Sequence, residues 1–331
     1  MSNETLVQLF RDHPGQFVSG AKMSEALNVS RTAIWKSIKK LEAAGYEFEA
    51  STKLGYKLLF EPDKLDSNVL DSALKTSRFG RLVTIAGEVP STQDLARKAA
   101  EDGVSEGMLV IAEQQVSGRG RMGRSWVSPY GKGIWMSMVL RPSVPIHCAP
   151  QLTLLAAVAL CRSLRRVTRL PIGIKWPNDL LVDGRKISGI LLESAAEDER
   201  LKYIVAGIGI SVNLAEGDYP EEVLGKATSL RVASGRTYDR TELIADFLAE
   251  WEQLYDLFLQ EGFRSIASLW ESLAVSLGKQ VKLVTPQGEI TGIPESLDES
   301  GAIRVRREDG TLVTIFSAEM GEPLDSPVNR A

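Results

Sequence analysis

Histidine is almost missing from this 331-residue sequence. Only His13 and His147 are present, so a Ser-His-Asp relay or a multi-histidine metal centre is a poor reading. Cysteine is as scarce. Cys148 and Cys161 stand thirteen residues apart, which matches no metal-ligand spacing. No signal peptide opens the chain, and no apolar run of about 18 residues offers to span a bilayer. The expectation is a reduced, cytoplasmic protein without a membrane partner. Internal repeats and low-complexity tracts are missing too, and no Gly-Lys-Ser/Thr completes a Walker A loop.

What is present fits a folded chain of two or three domains, with 44% hydrophobic and 25% charged residues. Net charge is −4, but it is uneven. Residues 1–60 hold eight Lys and Arg against six Asp and Glu, a balance of +2, and the remainder holds 31 against 37. A locally basic N-terminal module on an acidic body is compatible with DNA binding.

That module reads as helices. Residues 4–13 place Leu6, Leu9 and Phe10 on one stripe, and a short helix passes through Met23, Ala26 and Leu27. Asn28-Val29-Ser30 makes a tight turn, and Ser30 is an N-cap for a second helix that stops at Gly45. This is the helix-turn-helix pattern. Ile34, Ile38 and Leu41 fall on the core face, which leaves Arg31, Thr32, Trp35, Lys36, Lys39 and Lys40 outside for bases and phosphates. Phe48 to Leu59 then reads as a β-hairpin wing. The bland alternative is a solvated charged face on a small helical domain.

After a boundary at Glu61-Pro62-Asp63, strand 82–86 leads to Ser91-Thr92-Gln93-Asp94, a capping-box-like helix start. Strand 108–113 delivers the densest motif in the chain, Gln115-Val116-Ser117-Gly118-Arg119-Gly120-Arg121-Met122-Gly123-Arg124-Ser125-Trp126. Glycines let backbone N–H groups approach an anion, and arginines supply permanent planar forks for carboxylate or phosphate. Gly118, Gly120 and Gly123 satisfy G-x-G-x-x-G, yet a dinucleotide turn requires a helix next, whereas Pro129, Gly131 and Gly133 lead into a strand. Farther on lie a core helix over 150–167, the cluster Lys175-Trp176-Pro177-Asn178-Asp179, a hairpin turn at Asp183-Gly184 and Lys186 among buried-type neighbours. Asn178 and Asp179 read equally as turn formers, and Lys186 as a snorkelling lysine. Helices are expected over 241–260 and 263–277, short alternating strands from Gly278 on, and a disordered tail at the very end.

Taken together, these clusters resemble one family over essentially the whole chain: the biotin protein ligases, in their bifunctional ligase and biotin-operon repressor form. The resemblance implies an α+β protein. It has a winged helix-turn-helix over 1–62, a mixed α/β biotin/lipoate-ligase-like catalytic domain over 63–277 and a small SH3-like β-barrel over 278–331. It implies that Ser91, Thr92, Gln93 and Gln115 contact biotin. Arg119, Gly120 and Arg121 would take the carboxylate of biotin and the phosphate of the adenylate. Lys186 would hold the reacting carboxylate, with Arg121 as its catalytic companion. Gly118, Arg119, Arg121, Arg124, Lys175, Asn178, Asp179 and Ser211 would serve ATP, Asp179 facing Mg²⁺, while Trp126 packs on the adenine. Ser30, Arg31, Thr32, Trp35, Lys36 and Lys39 would face DNA. Implied partners are the biotin carboxyl carrier protein of acetyl-CoA carboxylase, operator DNA of biotin synthesis or transport genes, and a second copy in a ligand-promoted homodimer.

Two departures from the family pattern stand out. Gln93 is found where an asparagine is more usual, and Ser211 where an ATP-site asparagine is frequent. Rivals with the same residues are a lipoate-type ligase, a ligand-sensing repressor without ligase activity, and a Rossmann dehydrogenase, the last disfavoured by the missing helix.

Overall fold

The computed structural model describes residues 3–197, 200–321 and 323. The C-terminal tail read as disordered lies outside the described residues. The chain divides into two compact units, Met1–Lys64 with Pro129–Lys132, and Leu65–Ser128 with Gly133–Ala331.

The first unit is built as its apolar spacing dictates. Helix α1 (Asn3–Arg11) buries Leu6, Val7 and Phe10, α2 (Gly20–Leu27) buries Met23, and α3 (Arg31–Ala43) buries Ile34, Ile38 and Leu41. Ser19 and Ser30 cap the last two by accepting from Lys22 N and Ala33 N, each at 3.2 Å. Between them Asn28 ends α2 in the left-handed region, at φ 50°, a conformation asparagine tolerates. Strands β1 (Glu47–Ser51) and β2 (Gly55–Phe60) pair antiparallel as the wing. Gly55 is required there: a Cβ would sit 2.1 Å from Val18 O, and φ is +99°. Phe48 closes the small core against Phe10, with ring centroids 5.1 Å apart.

The second unit opens with α4 (Ser67–Ala73) and then lays down β3 (Val83–Val89), α5 (Thr92–Glu101), β4 (Leu109–Gln115), β5 (Ile134–Leu140), α6 (Ala149–Thr168), β6 (Gly173–Lys175), β7 (Asp179–Val182), β8 (Arg185–Glu197) and β9 (Arg200–Ile210). Helices α7 (Leu230–Ser234), α8 (Arg240–Glu261) and α9 (Arg264–Leu273) follow. Seven strands form one sheet in the order β3-β4-β5-β9-β8-β7-β6, in which only β3 and β4 run parallel. Asp183 and Gly184, both left-handed, make the β7–β8 turn that their dipeptide announces. Val110, Val139 and Val205 face α5, while Leu109, Ile111, Met136 and Met138 face the layer containing α6 and α8. Covered on both faces, every residue of β5 is buried.

One sequence reading needs correcting. The segment Ile146–Thr168 is long and apolar enough to cross a membrane by length and composition. Its apolar character comes from position instead: α6 is the central core helix, packed against α8 and α9.

The C-terminal strands are β10 (Val281–Thr285), β11 (Gly288–Leu297), β12 (Ile303–Arg306), β13 (Leu312–Ile315) and β14 (Glu319–Met320), ordered β13-β12-β11-β10-β14 and antiparallel throughout. The expected closed barrel is not what the pairing gives. Strand β14 is two residues long and spends both on β10, so among the described residues no ladder joins it to β13 across the opening.

Candidate active site

The Gly/Arg motif leaves β4 and folds back on itself before β5 begins. Trp126 N donates to Gly118 O at 2.8 Å, and Gly120 N to Arg124 O at 2.7 Å. Gly118 permits the crossing, since a Cβ there would lie 2.6 Å from Trp126 O. This hairpin-like loop covers a pocket of about 300 Å³ on the sheet.

The pocket floor is written in alternate residues of β9. Gly207, Gly209 and Ser211 are two apart and therefore share one face. A Cβ on Gly207 would come within 2.7 Å of Gln93 Oε1, and one on Gly209 within 2.5 Å of Trp126 Nε1. Glycine at these two places is what lets Gln93 and Trp126 approach the sheet so closely.

At one end stands the start of α5. Ser91 is its N-cap, accepting from Gln93 N at 3.3 Å, and it also lines the pocket. Thr92 N and Oγ1 both donate to Gln115 Oε1, at 2.9 and 3.1 Å, and Thr92 Oγ1 meets Ser137 Oγ at 2.7 Å. Gln93 Nε2 donates to Glu193 Oε2 at 3.1 Å, while its buried Oε1 has no partner among the described residues. Capping and lining the cavity are thus done by the same residues, at a helix N-terminus.

At the other end the cations gather. Lys186 Nζ is 2.7 Å from Asp179 Oδ1 and lies 5.2 Å from the centre of the Trp126 ring. Arg121 donates to Asn178 Oδ1 at 3.1 Å, and burial presses its pKa below the ordinary value. Asn178 is itself fixed by Ile190, through Asn178 Nδ2 to Ile190 O at 2.8 Å and Ile190 N to Asn178 O at 3.0 Å. Arg119 is differently engaged: it clasps Asp94 with both terminal nitrogens, at 2.9 and 2.8 Å. That clasp holds the Asp94 carboxyl below its ordinary range. Arg124 reaches Glu319 on β14.

Ser91, Thr92, Gln93, Gln115, Arg119, Gly120, Arg121, Arg124, Trp126, Lys175, Asn178, Asp179, Lys186 and Ser211 all line this one cavity; Gly118 shapes its loop without lining it. Sequence reasoning missed Ser137, Tyr219, Lys226, Ala318 and Glu319 on the same wall. No spacing flags them. Lys226 arrives because Lys186 N donates to its carbonyl at 2.8 Å, and the carbonyl of Lys186 accepts from Thr228 N at 2.9 Å. On α3 of the first unit, Arg31, Thr32, Trp35, Lys36, Lys39 and Lys40 are all exposed, and Lys39 is paired with Glu42 at 2.6 Å.

Among the described residues no three His, Cys, Asp or Glu groups cluster. The two acidic side chains of the wall, Asp179 and Glu319, are engaged with Lys186 and Arg124. The donor set fits a Mg²⁺ that arrives on phosphates and keeps its waters better than an all-protein cage.

Fixed cations, buried hydrogen-bonding atoms without partners among the described residues and a covering loop converge on this one cavity. Known proteins place it further. Residues 87–211 match the biotin/lipoate A/B protein ligase family, residues 3–57 an HTH domain and residues 276–320 the biotin protein ligase C terminal domain. The bifunctional ligase/repressor BirA of Bacillus spizizenii is 41% identical over 95% of this chain and 97% of its own. Its Escherichia coli counterpart is 32% identical over 92% and 93%. The biotin protein ligase of Aquifex aeolicus, solved in complex with biotin and ATP, superposes with a TM-score of 0.63 at 32% identity, covering 73% of this chain and 98% of that one. The chain belongs to the biotin protein ligases of the bifunctional ligase/repressor type.

Proposed function

We infer that this chain forms biotinyl-5′-AMP from biotin and ATP and transfers biotin to a lysine of the carrier domain of acetyl-CoA carboxylase. In its adenylate-bound form it represses biotin genes. The observation that carries this reading is one cavity in which Arg121 and Lys186 stand beyond a glycine floor from the α5 N-terminus. Biotin's ring would lie against Ser91, Thr92, Gln93 and Gln115, and its carboxylate would reach Lys186 and the Arg119–Arg121 turn. One carboxylate oxygen attacks the α-phosphorus as the bond to the β-phosphate breaks, so pyrophosphate leaves. The carrier amine then attacks the acyl carbon, AMP departs and the amine loses its proton. Asp179 would be the residue to hold Mg²⁺, which would supply charge neutralisation when bound.

No covalent nucleophile is needed, in keeping with a chain so poor in histidine. What the residues provide is fixed positive charge and exclusion of water. Lys175, Asn178, Asp179, Arg124, Gly118 and Ser211 would serve the nucleotide, with Trp126 against the adenine. The C-terminal sheet suits an SH3-like module in strand number and in its tight hairpins. Loop ordering by the adenylate would make a homodimer less costly to form, and two α3 helices would then read a two-part operator.

The test uses purified protein, Mg·ATP, labelled biotin and an acceptor domain. Lys186→Ala should lower adenylate formation by about 10²-fold, the scale for one lost charge-stabilising group. Wild-type turnover in that variant would remove Lys186 from the mechanism, and no transfer by the wild type would remove the ligase reading.

A further inference from the structure

Ser211 poses a problem at the nucleotide end of the pocket. It is buried and follows Gly207 and Gly209 on the floor stripe, so it lies one step beyond Trp126, away from Gln93. A serine there presents one short hydroxyl. Asn213, the nearest amide in sequence, cannot assist: its Nδ2 donates to Tyr238 O at 2.8 Å and its Oδ1 accepts from Tyr238 N at 3.0 Å. It is 2% exposed and does not line the cavity.

Tyr219 does line it. The chain leaves β9, makes a short turn over Glu216–Asp218 in which Ala215 N donates to Asp218 Oδ2 at 2.7 Å, and sets Tyr219 down just before Pro220. Its hydroxyl is buried and makes no hydrogen bond of ordinary geometry among the described residues, while Ser211 stands close enough to donate to its oxygen, which leaves the Tyr219 O–H itself unused. Leaving such a group unsatisfied costs free energy, so a structure that keeps one on a ligand cavity holds a donor in reserve. Burial pushes this phenol up to about 12, with Ser211 close enough to act in the opposite direction, so the proton stays on oxygen at neutral pH.

We propose that the Tyr219 hydroxyl and Ser211 together form a hydrogen-bonding pair for the nucleotide half of the ligand, with Tyr219 as donor. The proposal rests on the ATP-dependent reading above and extends it to a residue that no motif contains. Tyr219 is then a specificity-determining contact for ATP, and biotin does not feel it.

The experiment is steady-state kinetics on the full chain with ATP and biotin varied separately. Tyr219→Phe keeps the ring and should raise KM for ATP by about 5–10-fold, the scale of one neutral hydrogen bond, with KM for biotin within about twofold. Adding Ser211→Asn, whose longer amide reaches the same wall, should recover most of the loss. An unchanged KM for ATP in Tyr219→Phe overturns the proposal. So does an equal rise for biotin, or a loss that Ser211→Asn leaves in place, since either points to packing. If the wild type neither binds ATP nor forms an adenylate, the parent reading falls and this one falls with it; the other outcomes leave the parent reading standing.

Discussion

Asp94 shows how a single carboxylate changes the work of a loop arginine. Arg119 carries its charge permanently, but in this structure that charge is matched by Asp94 at bidentate distance, with Glu193 at 3.9 Å. The clasp ties the covering loop to the first turn of α5. Because the Asp94 pKa is depressed by Arg119, its contribution is fully present above the ordinary aspartate pKa and is lost only as pH falls through the lower folded value. Both groups are more than a third exposed, so the effect on global stability should be small. The loop is where it should be read. In Asp94→Asn, amide hydrogen exchange over residues 116–128 of the ligand-free protein should quicken severalfold at neutral pH, with the rest of the chain unchanged. Wild-type protection there should be flat from about pH 5 to 7 after correction for intrinsic exchange. Equal loop protection in the two proteins would show that the clasp holds nothing.

Elements were the most legible scale, and α3 shows why. Ser30, the apolar stripe Ile34-Ile38-Leu41 and the turn at Asn28-Val29-Ser30 are local signals, each decided by neighbours within a few residues, and all appear as read. The β7–β8 turn and the Gly/Arg loop were legible for the same reason. What stayed hidden depends on distant chain. Tyr219, Lys226 and Glu319 reach the cavity only because the segment after β9 and the end of the C-terminal sheet return to it, and no window of sequence encodes a return. Closure of the C-terminal sheet was likewise a question of long-range pairing, and two residues of β14 decided it. A capping residue and a proposed DNA contact on α3 can be told apart by what their loss changes. Ser30→Ala should cost the first unit about 1 kcal/mol in a denaturation experiment, the worth of an N-cap. Arg31→Ala or Lys36→Ala should leave stability within about 0.5 kcal/mol but weaken operator binding and lower its salt slope by about 1 each. Unchanged affinity in both lysine and arginine variants would end the recognition-helix reading.

At the scale of the molecule, the question is how many parts unfold separately. Sequence texture marks a change at Gly278, and yet the hydrophobic core runs without a break from Leu70 and Phe79 through Trp251 and Trp270 to Val281, Ile303 and Met320. Polar bonds cross the same boundary: Gln151 Nε2 donates to Glu299 O at 2.9 Å and Leu297 N to Glu271 Oε1 at 2.9 Å. The first unit keeps its own core around Leu6, Phe10, Ile34 and Ile38. Calorimetry of the ligand-free chain should therefore resolve two cooperative transitions, one for each unit, because elements that share a packed interior melt together. The larger one should depend on α8. Trp251 is fully buried, stacks on Tyr255 at 5.4 Å and meets Phe79 edge-on at 5.9 Å, so Trp251→Ala should lower that transition by about 3–5 kcal/mol and leave the smaller one in place. Biotin with Mg·ATP gives the opposite displacement. Ligand at about 100 times its Kd should add about 2.7 kcal/mol to the larger transition, which contains every cavity-lining residue. A third transition, unmoved by ligand and removed by ending the chain at residue 277, would show that the C-terminal sheet is an independent domain despite its shared core.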